Sequence, residues 1–311
     1  MRNIKHTIIV LTYNQADLLP QCLNSILNNN VLPYEIIIGD DYSTDGTEEL
    51  LENFRAKFPD IIKVYRSTAN LGVFGNWNRL MSLVEGEIIS LIAGDDFFKP
   101  DLLNSLNSLM YEKELNGYND KFIIVTNSIE LHPSGKERIY DNFQLRDKNI
   151  FKARIRYGLS YREVGLSRKL YDSLDMIDEK IGYHADWLYI IDQVFKSDKF
   201  YFLDKAFSVY RLGLGVTSKE RKVALVKSKL KVIQIIRDRY KESLDSRDLK
   251  FLNYWEKRHE FLLNPTLNGY LKLFVFQFLN IGNFTPNNSF LLNARLLLTA
   301  PIRILLGNKA K

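Results

Sequence analysis

The chain has 311 residues, 46% of them hydrophobic, 26% charged and 13% aromatic, an ordinary globular composition with room for a full α/β core and a helical appendage. One cysteine, Cys22, excludes an internal disulfide, fits a reducing compartment and reads as a small core residue. The net charge of +6 hides an asymmetry: residues 1–204 hold 23 Lys+Arg against 30 Asp+Glu, or −7, and residues 205–311 hold 20 against 7, or +13. A basic tail on an acidic front half points to a polyanionic surface partner.

The N-terminal run Thr7–Leu11 is too short for an export signal and passes straight into Thr12-Tyr13-Asn14, so the protein is expected to stay in the cytoplasm. Strands are predicted at Thr7–Leu11, Tyr34–Gly39, Ile61–Tyr65, Ile88–Ile92 and Phe122–Thr126. Helices are predicted between them at Asp17–Leu27, Thr47–Phe58, Asn76–Val84 and Pro100–Met110, with Pro100 in the first helical turn. This alternation predicts βαβ units and a mostly parallel sheet.

Beyond residue 130 the pattern loosens. His132–Gly135 reads as a turn, and Tyr140–Lys152 as polar and irregular. A helix is expected from Asp186 to Lys196, then two short strands at Phe200–Leu203 and Phe207–Leu212. From Lys219 the chain turns helical and basic, with one helix over Val223–Tyr240 and apolar stretches at Tyr270–Ile281 and Phe290–Leu306. Neither stretch supplies the roughly 20 uninterrupted apolar residues of a spanning helix. With Lys272, Arg295, Arg303, Lys309 and Lys311 along them, these stretches fit helices lying in the interface of an anionic membrane, rather than a nucleic-acid surface. Packing on the rest of the protein is the plainer reading.

Two acidic pairs stand at the ends of apolar runs: Glu35-Ile-Ile-Ile-Gly-Asp40-Asp41-Tyr-Ser43-Thr-Asp45-Gly46-Thr47, and Ile88–Gly94 followed by Asp95-Asp96. A buried parallel strand that ends in carboxylates places them where open α/β sheets bind ligands. Such carboxylates suit a divalent cation shared with a diphosphate, or hydrogen bonds from a base or ribose. They also suit turns and helix caps, Asp95-Asp96 capping the helix near Pro100. Asn70-Leu-Gly72-Val-Phe-Gly75-Asn76-Trp-Asn78 is a third loop of the same ambiguity.

Together, these segments resemble the inverting family 2 glycosyltransferases, which have the nucleotide-sugar-binding GT-A fold. The matching pieces occur in the family's order: Thr12-Tyr13-Asn14 after the first strand, Glu35–Thr47, Asn70-x-Gly72 with Asn76 and Asn78, and Asp95-Asp96 followed by Pro100. The resemblance covers about residues 4–215. It implies a catalytic domain over 1–217, with a nucleotide-sugar half to about 128 and an acceptor half over 129–217, followed by a helical, basic extension over 218–311. By the same likeness Thr12, Tyr13 and Asp40 hold the nucleotide base, Asp41 supports the loop, Asp95 lies by the ribose and Asp96 binds the metal, Mn²⁺ or Mg²⁺. Many relatives carry another acid two positions before Asp95, where this chain has Ala93. The family's base is an Asp at the start of a later helix. Gly182-Tyr-His-Ala185-Asp186-Trp187 occupies that position, which makes Asp186 the expected base, with Val209-Tyr210-Arg211, Gly213, Gly215 and Thr217 as the motif after it. Asn76, Asn78, His184, Trp187 and Arg211 are candidates for an acceptor or sugar pocket.

The resemblance implies transfer of a hexose, with glucose in β-1,3 linkage as the specific expectation, from a UDP-sugar. The expected acceptor is an undecaprenyl-diphosphate-linked N-acetylhexosamine at the cytoplasmic face of the bacterial inner membrane, as in O-antigen synthesis. A sugar nucleotidyltransferase would need a Gly-rich basic loop for a triphosphate, which Leu11–Gln15 lacks. A non-catalytic scaffold with a binding tail is the remaining alternative. No Gly-x-Gly-x-x-Gly follows the first strand, which argues against a dinucleotide oxidoreductase.

Overall fold

The computed structural model describes residues 2–140, 149–157, 163–214 and 222–279. The chain divides into two compact units, the first made of Met1–Ile150, Ser160–Glu179 and Asp192–Ser218, the second of Phe151–Leu159, Lys180–Ile191 and Lys219–Lys311.

The first unit is built on one sheet. Its strands are β1 (His6–Thr12), β2 (Glu35–Asp40), β3 (Ile62–Arg66), β4 (Ile88–Ala93), β5 (Phe97–Phe98), β6 (Phe122–Leu131), β7 (Glu137–Tyr140), β8 (Glu163–Ser167) and β9 (Lys199–Arg211). Their order is β3-β2-β1-β4-β8-β6-β9-β5, with β7 paired to β6. The first four strands are mutually parallel, and β6 pairs parallel with β9. The short strands β5, β7 and β8 run against them. Every residue of β1 and β2 is buried, as β-branched runs covered on both faces must be. Helices α1 (Leu19–Leu27), α2 (Thr47–Lys57), α3 (Gly72–Met81) and α4 (Leu102–Glu112) follow β1, β2, β3 and β5. Leu19, Cys22, Leu23 and Ile26 of α1 and Leu102, Leu103 and Leu106 of α4 are fully buried in one core with Ile8, Val10, Ile36, Ile38 and Ile92. Each such aliphatic side chain contributes about 1.5–3 kcal/mol of burial.

Several expectations are revised. Helix α3 begins at Gly72, four residues early, and Asn70 Oδ1 accepts from the Gly72 amide at 3.0 Å just before it. Pro100 lies outside helix α4: Asp101, at φ 71°, stands between it and Leu102. Strand β6 continues five residues past Thr126, and the two short strands expected after Lys196 are one strand, β9. Irregular register at Thr126–Ser128 absorbs Asp204–Lys205, the polar interruption that suggested a break. Strand β8, wedged antiparallel between β4 and β6, was not anticipated, nor was helix α5 (Ile150–Tyr157), which starts at the end of the stretch read as irregular and runs five residues past it.

The second unit is helical. Phe151–Tyr157 of α5, the start of α7 (Ala185–Lys196), α8 (Lys222–Arg239), α9 (Ser246–Leu263) and α10 (Leu267–Leu279) belong to it, while α6 (Arg168–Tyr171) lies in the first. Asp245 caps α9, its side chain accepting from the Arg247 and Asp248 amides, and Asp248 reciprocates to the Asp245 amide. Lys152 and Arg156 of α5 pair with the same two acids, and Phe151 meets the Tyr240 ring edge-on at 5.1 Å. Among the described residues, no helix is long and apolar enough to cross a membrane. Gly215, Thr217 and the stretch Phe290–Leu306, with Arg295, Arg303, Lys309 and Lys311, lie outside the described residues.

Candidate active site

The parallel order β2-β1-β4 decides which residues meet. In register, Thr12 at the end of β1 stands opposite Asp40 of β2, and Leu11 stands opposite Ala93 of β4. Asp40 and the Gly94-Asp95-Asp96 turn therefore flank Thr12 on its two sides, one strand away each, about 5 Å per step. This is also where chain order reverses across the sheet, the position at which open α/β sheets bind ligands. Gly94 permits the close approach. A Cβ there would come within 2.6 Å of Gln15 Oε1 and 3.1 Å of both Leu19 Cδ1 and Thr12 Oγ1.

Each acid has defined partners. Asp40 is fully buried; its Oδ1 accepts from the Ser43 amide at 3.2 Å and from the Ser43 hydroxyl, and its Oδ2 lies 3.3 Å from Arg66 Nε. That last contact is an ion pair without hydrogen-bond alignment, so Oδ2 keeps an unfilled acceptor position. Asp41 Oδ1 accepts from the Leu71 amide at 2.8 Å and from Ser67 Oγ at 3.3 Å, tying the end of β2 to the loop before α3. Asp45 staples the loops after β1 and β2, accepting from the Ala16 amide and from Thr47. Burial pushes its carboxyl up, but those hydrogen bonds outweigh it and hold the group below the usual carboxylate range. Tyr13, 46% exposed, offers an aromatic surface at this edge.

Asp95 and Asp96 are buried and do not cap α4. Asp96 Oδ1 accepts from the Arg211 amide at 3.0 Å. The Arg211 guanidinium donates to Asp95 O and to Gln21 Oε1 and stacks 4.8 Å over the Phe97 ring. Among the described residues no group of three or more His, Cys, Asp or Glu is placed to hold a metal. The adjacent carboxylates still fit a hard divalent ion of the kind that takes one or two protein oxygens and completes its shell with phosphate and water.

The amides of Asn76 and Asn78 are engaged by the protein itself. Asn76 donates to Gly39 O and accepts from Arg79 Nε; Asn78 donates to Ile177 O and accepts from the Ile177 amide. Arg79, which the sequence reading passed over, donates to the carbonyls of Asp40 and Tyr65 and locks the ends of β2 and β3. Arg66 and Gln21 were passed over as well, and Ser43 was read only as part of the motif around Asp40. The signal for Arg66 was its place at the end of a strand beside one ending in Asp40.

The remaining candidates belong to the second unit. Asp186 sits in the first turn of α7, its Oδ1 accepting from the Trp187 amide at 2.8 Å. The His184 amide donates to Ser228 Oγ, and Lys229 Nζ lies 3.5 Å over the Trp187 ring. Burial lowers Lys229 to about 8, partly opposed by Asp186, and lowers His184 to about 4 with help from Lys229.

Residues 7–163 match the family described as glycosyl transferase family 2. The chain belongs to that family. Among its relatives, the GalNAc(5)-diNAcBac-PP-undecaprenol β-1,3-glucosyltransferase of Campylobacter jejuni is 28% identical over 214 residues, covering 67% of this chain and 65% of its own. TarS 1–349 of S. aureus, solved in complex with UDP-GlcNAc, superposes with a TM-score of 0.63 at 18% identity over 97% of this chain and 88% of its own. The mannosyltransferase PcManGT of Pyrobaculum calidifontis, in complex with GDP-Man and Mn²⁺, gives 0.55 at 16% over 99% and 88%. These superpositions establish the shared GT-A fold. Mycobacterial relatives at 30% identity are matched over only 28% of their length.

Proposed function

We propose that the protein is an inverting glycosyltransferase that moves a hexose from a UDP-sugar to a lipid-diphosphate-linked N-acetylhexosamine in bacterial surface polysaccharide synthesis. The observation that carries this reading is the flanking of Thr12 by Asp40 and by Asp95-Asp96 at the carboxyl ends of three adjacent parallel strands. Tyr13 offers a stacking face to the base, and the unfilled position on Asp40 Oδ2 suits a donor from its edge. Asp41 holds the supporting loop. Asp95 would lie by the ribose, and Asp96 would hold Mn²⁺ or Mg²⁺, which, when bound, offsets the charge growing on the departing diphosphate. Asp186, in the first turn of its helix, takes the proton from the attacking hydroxyl. Glucose in β-1,3 linkage and a lipid acceptor at the cytoplasmic membrane face are proposed by analogy with the Campylobacter relative's name.

The test incubates the purified chain and Mn²⁺ with a panel of nucleotide sugars and a synthetic diphosphate-lipid N-acetylhexosamine, reading product mass, linkage and anomeric configuration. Asp96→Ala and Asp186→Asn should each lower turnover by about 10²–10⁴-fold. Retained anomeric configuration, or full turnover by Asp186→Asn, would refute the mechanism. Release of inorganic diphosphate from a nucleoside triphosphate would favour a nucleotidyltransferase instead.

A further inference from the structure

Helix α10 exposes a row of large apolar side chains. Leu267 is 63% exposed, Leu271 50%, Phe274 46% and Val275 52%. Their spacing, i, i+4, i+7 and i+8, gathers them into one stripe about 100° wide. The opposite side of the helix is anchored: Leu273 is 3% exposed and packs with Tyr254 and Phe261 of α9. The stripe is thus held outward by a packed back face, on a helix whose position in its unit is set by α9.

The charge of this part of the sequence selects the partner. Lys272 is exposed at the edge of the stripe, and residues 205–311 carry +13 in sum. Residues 280–311 continue the trend in sequence, with four basic residues and no acid. A second copy of the chain would bring the same positive charge against it, which disfavours self-association through this face. An anionic lipid surface offers both an apolar layer for the leucines and phosphates for the lysines.

We propose that the Leu267–Leu271–Phe274–Val275 face of α10 docks on an anionic lipid bilayer, lying in its interface without crossing it. This deepens the reading above, on which it rests for its purpose of meeting a lipid-linked acceptor. Its outcome does not depend on that reading, because lipid binding is measured with no transfer reaction.

The experiment uses the full chain in sedimentation with vesicles of phosphatidylcholine alone or with phosphatidylglycerol added. The wild type should pellet with the anionic vesicles, less with neutral ones, and less as salt rises. Leu271→Glu/Phe274→Glu should lower the partition coefficient at least about tenfold while leaving UDP-sugar binding unchanged. Leu267→Glu/Val275→Glu, at separate positions of the same stripe, should do the same and keeps the test valid if the first pair impairs folding. Unchanged pelleting of both variants overturns the proposal, as does equal binding to neutral vesicles. A wild-type dimer in solution that these substitutions convert to monomer would also overturn it, assigning the face to a second copy.

Discussion

At the scale of single residues, the second unit holds a concentration of basic groups whose protonation the fold disfavours. Burial, together with the cations around it, lowers His259 to about 3, and burial lowers His184 to about 4. Arg258, Lys229 and His184 each disfavour the charged form of His259, Lys229 does the same to His184, and Asp186 is the acid that acts on Lys229. An unfolded histidine picks up its proton near pH 6.5, whereas these two stay neutral in the fold until pH 3–4. The unfolded chain therefore binds more protons over that window, and stability falls as pH drops below about 6.5. The slope approaches about 1.4 kcal/mol per pH unit per group, with the larger share from His259 because His184 keeps some contact with water. His259→Phe should flatten much of this acid slope in urea-unfolding series taken from pH 7 to 4.5. Lys229 acts at the other end: stability should rise with pH between about 8 and 10.5, and Lys229→Met should lack that rise. An acid slope unchanged by His259→Phe would show that the ring is not buried as described.

At the scale of elements, the site depends on how closely the turn after β4 can approach β1. Gly94→Ala would drive a methyl group against Leu19 Cδ1 in the core and Gln15 Oε1 at the edge. Overpacking of this kind costs about 1–3 kcal/mol. Since Gln15 can swing aside and β1 cannot, the expected result is a modest fall in Tm with a larger rise in KM for the donor. Thermal melts and donor titration measure the two separately; normal donor KM would mean the turn does not shape the site. Strands β2 and β4 were legible because β-branched runs leading into Asp40 and Asp95 admit few other readings. Strand β8 was not, because Glu163–Ser167 is short and its pairing is decided by β4 and β6, far away in sequence. Helix α5 was missed for a different reason: Lys152, Arg154 and Arg156 interrupt its apolar rhythm, yet Arg154 is fully buried and the other two are paired with Asp245 and Asp248. Asn76 and Asn78 matched a motif, but sequence carries no sign that their amides are spent on Gly39, Arg79 and Ile177.

At the scale of the molecule, the order of charges and motifs along the chain was readable, while its allotment to compact units was not. The second unit draws on Phe151–Leu159 and Lys180–Ile191 as well as the tail. Its short segments depend on the tail for their partners: Phe151 on Tyr240, the Arg156 carbonyl on Trp255 Nε1, the His184 amide on Ser228 and the Trp187 ring on Lys229. A fragment ending at residue 217 would strip all four away, the cation over the Trp187 ring among them. Such a fragment should aggregate or show a collapsed near-ultraviolet spectrum, even though it keeps nearly every residue of the resemblance; a soluble, cooperatively melting fragment would contradict the interleaving.

That interleaving bears on how specificity in such a chain can be redesigned. Exchanging tails between relatives at one splice point would mate each new tail with the recipient's own, foreign 151–159 and 180–191 segments. A working chimera has to transplant all three pieces together, so inheritance of acceptor preference should follow that discontinuous set rather than any single stretch of gene.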